Sequence, residues 1–480
     1  MRESDVSSVM PELLSTKPDP RNWWATLRDA TRGTQVDLTS APIGRALVML
    51  AVPMILEMLM ESLFAMVDVL WVAHLGAHAV ATVGLTESMM MIIYSVAMGV
   101  AIGATALVAR RVGEKDIPAA SRTAAQAIML AFAIAIALGA AGAFYAPELL
   151  RIMGADETAV AQGQQFTRIM LGGNATVFLL FVINAIFRGA GDAAFAMRVL
   201  FLGNTLNILL GPCFIFGLGP FPQLGVTGAA VATNLGRGIA VGYQLYLLTR
   251  GSSRITLSRP QLWPNFSLMG QVLKLSGSAT FQMLISMTSY IGVMRILSAF
   301  GSAPLAGYTI GFRIFMFAIL PAFGLSNAAA TLVGQNLGAG HPERAEQAVW
   351  RACVLSAVFL SSVGVLFVIG ARPLVSLFID DPEVIEHGVR YLRIVSLGVP
   401  FYAYGMVVSQ SFNGAGDTRT PTLINVFVFW LVQLPLGWAL SHGTPLASSG
   451  VFVTLAASFS LFAVVSVLLF RRGHWKLTRV

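Results

Sequence analysis

The sequence predicts an all-α polytopic membrane protein with twelve transmembrane helices in two pseudo-symmetric six-helix lobes. Three observations carry this. Of 480 residues, 56% are hydrophobic and 11% charged, with a mean hydropathy of +0.73, and apolar runs of spanning length recur along nearly the whole chain. Basic residues crowd into alternate polar breaks. Short motifs recur at a fixed separation of 225 residues (417 − 192 = 225), the mark of an internal duplication.

Residues 1–41 read as a polar N-terminal tail containing Pro11, Pro18 and Pro20, without the early apolar core of a cleavable signal. Within it, Asn22 to Arg32 carries Trp23, Trp24, Arg28 and Arg32. That stretch reads equally as an interfacial segment or an unstructured tail. Apolar runs then place spans near 42–74, 78–109, 119–145, 158–187, 195–217 and 225–249. A basic linker, 250–266, with Arg250, Arg254, Arg259 and Pro260, leads to a second set near 267–299, 303–335, 345–370, 385–411, 420–440 and 446–470. Residues 471–480 form a basic tail. With the N-terminus inside, Arg110, Arg111, Lys115, Arg122, Arg188, Arg198, Arg250, Arg254, Arg259, Arg344, Arg351 and Arg419 fall in inner loops, against Arg151 and Arg372 outside. This bias places both termini in the cytoplasm.

The duplication shows in Arg188-Gly-Ala-Gly-Asp192 against Asn413-Gly-Ala-Gly-Asp417, and in Leu107-Val-Ala-Arg-Arg-Val-Gly113 against Leu332-Val-Gly-Gln-Asn-Leu-Gly338. Six spans return the chain to its starting side. The halves, 42–249 and 267–470, are therefore parallel repeats about an axis along the membrane normal, with a cleft between them. The glycine pairs permit tight turns, and Asp192 and Asp417 are expected to cap the helices that follow.

The first span holds the chemistry. Glu57, Glu61 and Asp68, spaced i, i+4, i+11, fall within about 40° on one helix face. Carboxylates in a membrane face a protein cavity and mark ion or substrate pathways. Pro53 lies one turn earlier and weakens the helix by removing a hydrogen bond, which makes it a hinge candidate. At the repeat offset these acids face Gln282, Ser286 and Val293, and second-half acids such as Glu343, Asp380 and Asp417 fall in loops or at span ends. Glu87 in the second span either joins the cluster or sits at the interface. Asn204, Asn207 and Gly211 share a face of the fifth span, and Thr227 and Thr233 lie in the sixth. Such groups either ligate a cation or hold helices together. Arg295 and Arg313 read as structural cations of the second half.

The two cysteines, Cys213 and Cys353, form no metal spacing, and neither a phosphate-binding loop nor a dinucleotide fingerprint is present. The chain reads as no enzyme, with no organic cofactor and no nucleic-acid partner, driven by an ion gradient rather than ATP.

These features resemble the multidrug and toxic compound extrusion (MATE) family over about residues 40–470. The resemblance rests on Val67-Asp68, Trp71-Val72-Ala73, Leu75-Gly76, the run Gly99 to Gly113 before Glu114-Lys115-Asp116, both GAGD turns, and Gly334-Gln335-Asn336-Leu337-Gly338-Ala339. It implies a V-shaped pair of lobes in the plasma (cell inner) membrane. It further implies a monomer, among membrane lipids, that exports small organic cations or amphipathic compounds in exchange for H⁺ or Na⁺. A flippase of lipid-linked intermediates is the alternative within the superfamily. Asp68 matches the family's first-helix aspartate. The DinF-like pattern of Asn, three residues, then Asp-Pro reads here Asn207 to Gly211-Pro212, with glycine in place of the aspartate, and the NorM-like glutamate of the seventh helix is absent from Gln282 to Ser286. The resemblance thus nominates Asp68, Glu61 and Asn207 for ion coupling, with any Na⁺ held at Asp68 and Asn207. The missing aspartate favours H⁺.

Overall fold

The structure, a computed structural model, describes residues 20–75 and 77–478. Among them there are helices and no strands. An N-terminal helix, Pro20–Arg32, precedes α1 (Ile43–Ala73), α2 (Ala77–Gly113), α3 (Ile117–Phe144), α4 (Glu157–Ala190), α5 (Ala193–Phe216) and α6 (Val226–Thr249). The second lobe holds α7 (Phe266–Leu297), α8 (Ser302–Gly338), α9 (Pro342–Ser376), α10 (Pro382–Ser396 and Val399–Gly414), α11 (Arg419–Gly443) and α12 (Ser448–Arg471). Ten of these are long and apolar enough to cross a membrane, and α10 makes an eleventh as a pair bent by 59°. The remaining rod, α6, has 24 residues but carries Asn234, Arg237 and Gln244.

Two spans deviate from straight rods. The α4 helix is interrupted at Gly173-Asn174 and α10 at Leu397-Gly398. In both places the glycine makes room for a neighbouring helix, since a Cβ at Gly173 would collide with Asn234 and one at Gly398 with the Ala456 backbone, and in α10 Pro400 resumes the helix in its first turn. The break recurs at equivalent places of the repeat. In α11 a π-helical stretch, Val426–Gln433, leads up to Pro435, whose missing N–H the wider turn accommodates.

The lobes meet through four helices, α1, α2, α7 and α8, in the half of the bundle that bears both termini. A Cβ added at Gly113 would collide with the Gln335 carbonyl, and one at Gly338 with the Arg110 carbonyl. These contacts are reciprocal, because 113 and 338, like 110 and 335, are one repeat apart. A second reciprocal pair lies higher: Gly99 against Thr280, and Gly324 against the Met54–Ile55 backbone. Duplicated glycines thus bring duplicated helices into backbone contact about a pseudo-two-fold axis. Around this seam the first lobe packs Val100, Leu107, Phe178, Ile186 and Val199 into one core. The second lobe does so with Ile319, Phe367, Tyr391 and Phe452.

The first half of α1 does not belong to the first lobe's core. Leu47, Leu50 and Met54 pack with Leu325, Val349 and Phe412 of the second lobe. Pro53 lies inside the continuous α1 helix, where this docked half gives way to the acidic half.

The GAGD turns differ from expectation. Asp417 caps as expected, accepting from the Thr420 N–H at 3.1 Å and its hydroxyl at 2.6 Å. Asp192 does not cap α5. Its carboxylate accepts from Ser253 Oγ at 2.6 Å and Arg254 N at 2.8 Å, tying the linker between the lobes to the first of them. The linker outcompetes the helix end because it supplies two donors to one buried carboxylate. Asn22 to Arg32 lies within a helix rather than an unstructured tail, from Trp24 onward with Trp24 exposed and Ala30 buried. Arg198 of α5 donates to its last carbonyls, Thr31 and Arg32, as a cation at a helix C-terminus does.

Candidate functional site

The acidic face of α1 points into the first lobe, and its three carboxylates meet three different environments. Glu57 is 2% exposed. Its Oε1 accepts from Arg188 Nη1 at 2.6 Å and from Asn184 Nδ2 at 3.2 Å. Asn184 Oδ1 accepts in turn from Gln244 of α6 at 2.7 Å. Arg188, counted among inner-loop charges from the sequence, therefore lies in α4 with its guanidinium turned back into the lobe. The second lobe makes the same connection without charge: Asn413 Nδ2 donates to Gln282 Oε1 at 3.3 Å, and Gln282 Nε2 donates to Ser409 Oγ at 3.3 Å. Positions 57, 184 and 188 correspond to 282, 409 and 413. A contact kept in both halves but ionic in only one belongs to helix packing.

Glu61 accepts from Asn204 Nδ2 of α5 at 3.0 Å. Asp68, two turns further, is partly buried and lies within electrostatic reach of Arg237 of α6. Asn207 is not joined to Asp68 by a hydrogen bond among the described residues. It donates to Thr233 Oγ1 of α6 at 2.9 Å, so it helps hold α5 to α6. Thr227, in the first turn of α6, joins no hydrogen bond with the cluster among the described residues. Glu87 does join it: exposed on α2, it lies within electrostatic reach of Asp68 and of Arg313 on α8. The Gly211 position, where the family aspartate is missing, faces Trp71. A Cβ there would lie 3.5 Å from the indole ring, whose buried N–H has no partner among the described residues.

Arg237 is the residue that the sequence pattern did not single out. It is 6% exposed, its Nη1 donates to Tyr94 Oη at 3.3 Å, and its guanidinium lies 5.8 Å from the Phe64 ring centroid and 5.9 Å from that of Tyr94. It reaches both Glu61 and Asp68 electrostatically, while no carboxylate stands within ion-pair distance of it among the described residues. The signal was spacing. Thr233, Arg237 and Gln244 follow i, i+4, i+11, the same pattern as Glu57, Glu61 and Asp68. Because α6 runs antiparallel to α1, the two polar stripes match end for end: Gln244 serves Glu57 through Asn184, and Arg237 serves the two acids above. Charged and amide groups face inward on both helices because lipid offers them no partners.

Glu57 and Arg188 neutralise each other. Glu61, Asp68 and Arg237 leave one carboxylate charge in excess, on a helix face beside the opening between the lobes. No group of three or more metal-ligating side chains occurs among the described residues.

A family model described as MatE matches residues 53–213 and again residues 278–439. The chain belongs to the MatE family. The two matches begin one repeat apart, as the duplication requires. Among relatives of this MatE protein, a probable multidrug resistance protein NorM of Thermotoga maritima is 28% identical, covering 90% of this chain and 93% of the relative. An FAD transporter of Shewanella oneidensis is 28% identical, covering 83% and 88%. A solved structure described as the outward-facing conformation of a multidrug resistance MATE family transporter superposes with a TM-score of 0.87 at 26% identity, covering 93% of this chain and 99% of that one. The protein is thus a multidrug-type membrane transporter and no enzyme, all-helical, with its two lobes arranged in a V.

Proposed function

We propose that this protein is a secondary antiporter that exports organic cations or amphipathic metabolites in exchange for H⁺ or Na⁺ by alternating access. Asp68 is the principal coupling site, Glu61 a second ion-coupling carboxylate, and Asn207 a support through Thr233. The observation that carries this is the asymmetry between equivalent lobes. Among the described residues only the first has carboxylates on its inner face, and they lie beside the opening where Glu87 and Arg313 are exposed on opposite lobes. With both termini cytoplasmic, the glycine seam closes the inner side and the cleft opens outward. Neutralising Asp68 changes the charge that α1 presents to α6. Coupling follows if the two lobe packings bind the ion differently. The FAD transporter among the relatives supports a second reading, export of an organic anion, for which Arg295 and Arg313 on the second lobe are exposed cations.

The test is transport of ethidium and of FAD in proteoliposomes under imposed pH or Na⁺ gradients. Asp68→Asn is expected to abolish gradient-driven transport, and Glu61→Gln to shift its pH dependence. Wild-type rates in Asp68→Asn would remove Asp68 from the mechanism. Transport of FAD but not ethidium would select the second reading.

A further inference from the structure

We infer that the two ends of the chain are straps that hold the lobes together at the termini-bearing end, and that both must let go before that end can open. This rests on the alternating-access reading and names what holds its inner gate shut.

Both straps hang from the second lobe. The C-terminal one follows α12. Its Trp475 is buried, stacks on Phe470 with ring centroids 4.5 Å apart, and donates its indole N–H to the Phe470 carbonyl at 2.9 Å. Lys476 pairs with Glu346 of α9 at 2.7 Å and with Glu343 at 3.5 Å. The N-terminal strap precedes α1, whose first half is docked on the second lobe. Leu38 is buried in that same core. Arg344 of α9 donates to the Leu38 carbonyl at 3.3 Å and to the Ala41 carbonyl.

Arginines on the other side of the seam catch the straps. Arg110, at the end of α2, donates to the Thr478 carbonyl. Arg254 of the linker donates to the Val36 carbonyl at 2.7 Å, and its own N–H is held by Asp192 of the first lobe at 2.8 Å. Arg198 of α5 donates to the carbonyls of Thr31 at 3.0 Å and Arg32 at 2.7 Å. Each catch is a charged donor on a backbone carbonyl, stronger than a neutral hydrogen bond. Leu38 also lies against the first lobe's turn, where a Cβ at Gly191 would stand 2.9 Å from its Cδ1.

The repeat shows that the C-terminal strap is an addition to the seam. Gln335 occupies the position equivalent to Arg110 (335 − 110 = 225). It crosses the seam directly, its Nε2 donating to the Gly189 carbonyl at 2.9 Å. Symmetry would send Arg110 to the Gly414 carbonyl, but Arg110 donates to the strap instead. Opening this end carries α2, α5 and the linker away from α9 and α12. The catches cannot stretch with that movement, so they stabilise the sealed state alone.

The test uses full-length protein in nanodiscs, with Cys213 and Cys353 replaced by serine. Spin labels are placed at Arg122 and Gln347, exposed positions on α3 and α9 that are one repeat apart. Arg110→Gln and Arg254→Gln each weaken one catch. Each is expected to raise the ratio of long to short label distances by about five- to tenfold, and the two together by the product. A chain stopped after Gly473 is expected to match Arg110→Gln, and adding Arg110→Gln to it to change nothing further. Arg111→Gln breaks an ion pair within α2 and is expected to leave the distances as they are. Unchanged distances in both Arg110→Gln and Arg254→Gln overturn the inference. So does an equal shift in Arg111→Gln, or a product of effects when the stopped chain carries Arg110→Gln. If the stopped chain does not fold, the three point variants still decide it. The antiport reading fails separately, when neither gradient drives wild-type transport of ethidium or FAD. The label distances still decide the role of the straps in that case.

Discussion

The ionic contact between α1 and α4 allows a quantitative test, because the second lobe contains its uncharged counterpart. Glu57 Oε1 stands 2.6 Å from Arg188 Nη1, with the carboxylate side chain 2% and the guanidinium 12% exposed. Removing one partner of a buried pair leaves the other charge unsolvated and typically costs ~3–5 kcal/mol. In Glu57→Gln, Arg188 keeps only a neutral amide oxygen as acceptor and its buried guanidinium is left without a counter-charge, so that range applies. Arg188→Asn alone leaves a buried carboxylate with one amide donor and falls in the same range. The double variant Glu57→Gln/Arg188→Asn recreates the Gln282–Asn413 contact, with no charge to desolvate. Replacing a buried ion pair by a matched neutral arrangement is close to neutral. The double is therefore expected within ~1 kcal/mol of wild type, with an interaction energy of at least ~5 kcal/mol across the cycle. Denaturation in mixed micelles of wild type, both singles and the double measures it. Ion-driven transport of the double should match wild type, because Asp68 and Glu61 are untouched. Singles that each cost less than ~1 kcal/mol, or a double that costs the sum of its singles, would refute the reasoning, and Glu57 would return as a candidate coupling group.

Other predictions concern the seam and the hinge. Gly338→Ala drives a Cβ into the Arg110 carbonyl, a backbone group with little freedom to yield. Overpacking of ~1–3 kcal/mol should weaken the sealed state, read as a longer spin-label distance between α2 and α8 at the termini-bearing end. An unchanged distance distribution would show that the seam tolerates the methyl. Pro53→Ala restores a helical hydrogen bond where α1 passes from one lobe's core to the other's polar face. Transport should slow while thermal stability holds or rises, and an unaltered rate would dismiss bending at that proline.

Much of this was legible in the sequence because it is encoded locally or by repetition. Apolar length gave the spans, and the common offset of the GAGD and Gly113/Gly338 motifs gave the two lobes. Helical periodicity put Glu57, Glu61 and Asp68 on one face. What stayed hidden was partnership. Glu57 reads like its neighbours on α1, and only the arrival of Arg188 from 131 residues away separates it from them. Asp192 and Asp417 occupy identical motifs, yet only Asp417 caps, because the linker donates to Asp192 and no linker follows Asp417. Arg237 shows from the sequence as one polar residue in a weakly apolar span, and its meaning comes from α1 and α2.

The sequence by itself determined that this chain is a duplicated set of membrane spans, with an acidic stripe in one half. Those properties depend on hydropathy and on the 3.6-residue period, which act within a helix. Tertiary structure alone decided which acid is neutralised, which is left near a guanidinium held by Tyr94 and Phe64, and where the lobes seal. In a membrane interior each buried polar group must find a partner inside the protein. Which one it finds depends on how the helices assemble, and residues far apart in the chain share the outcome.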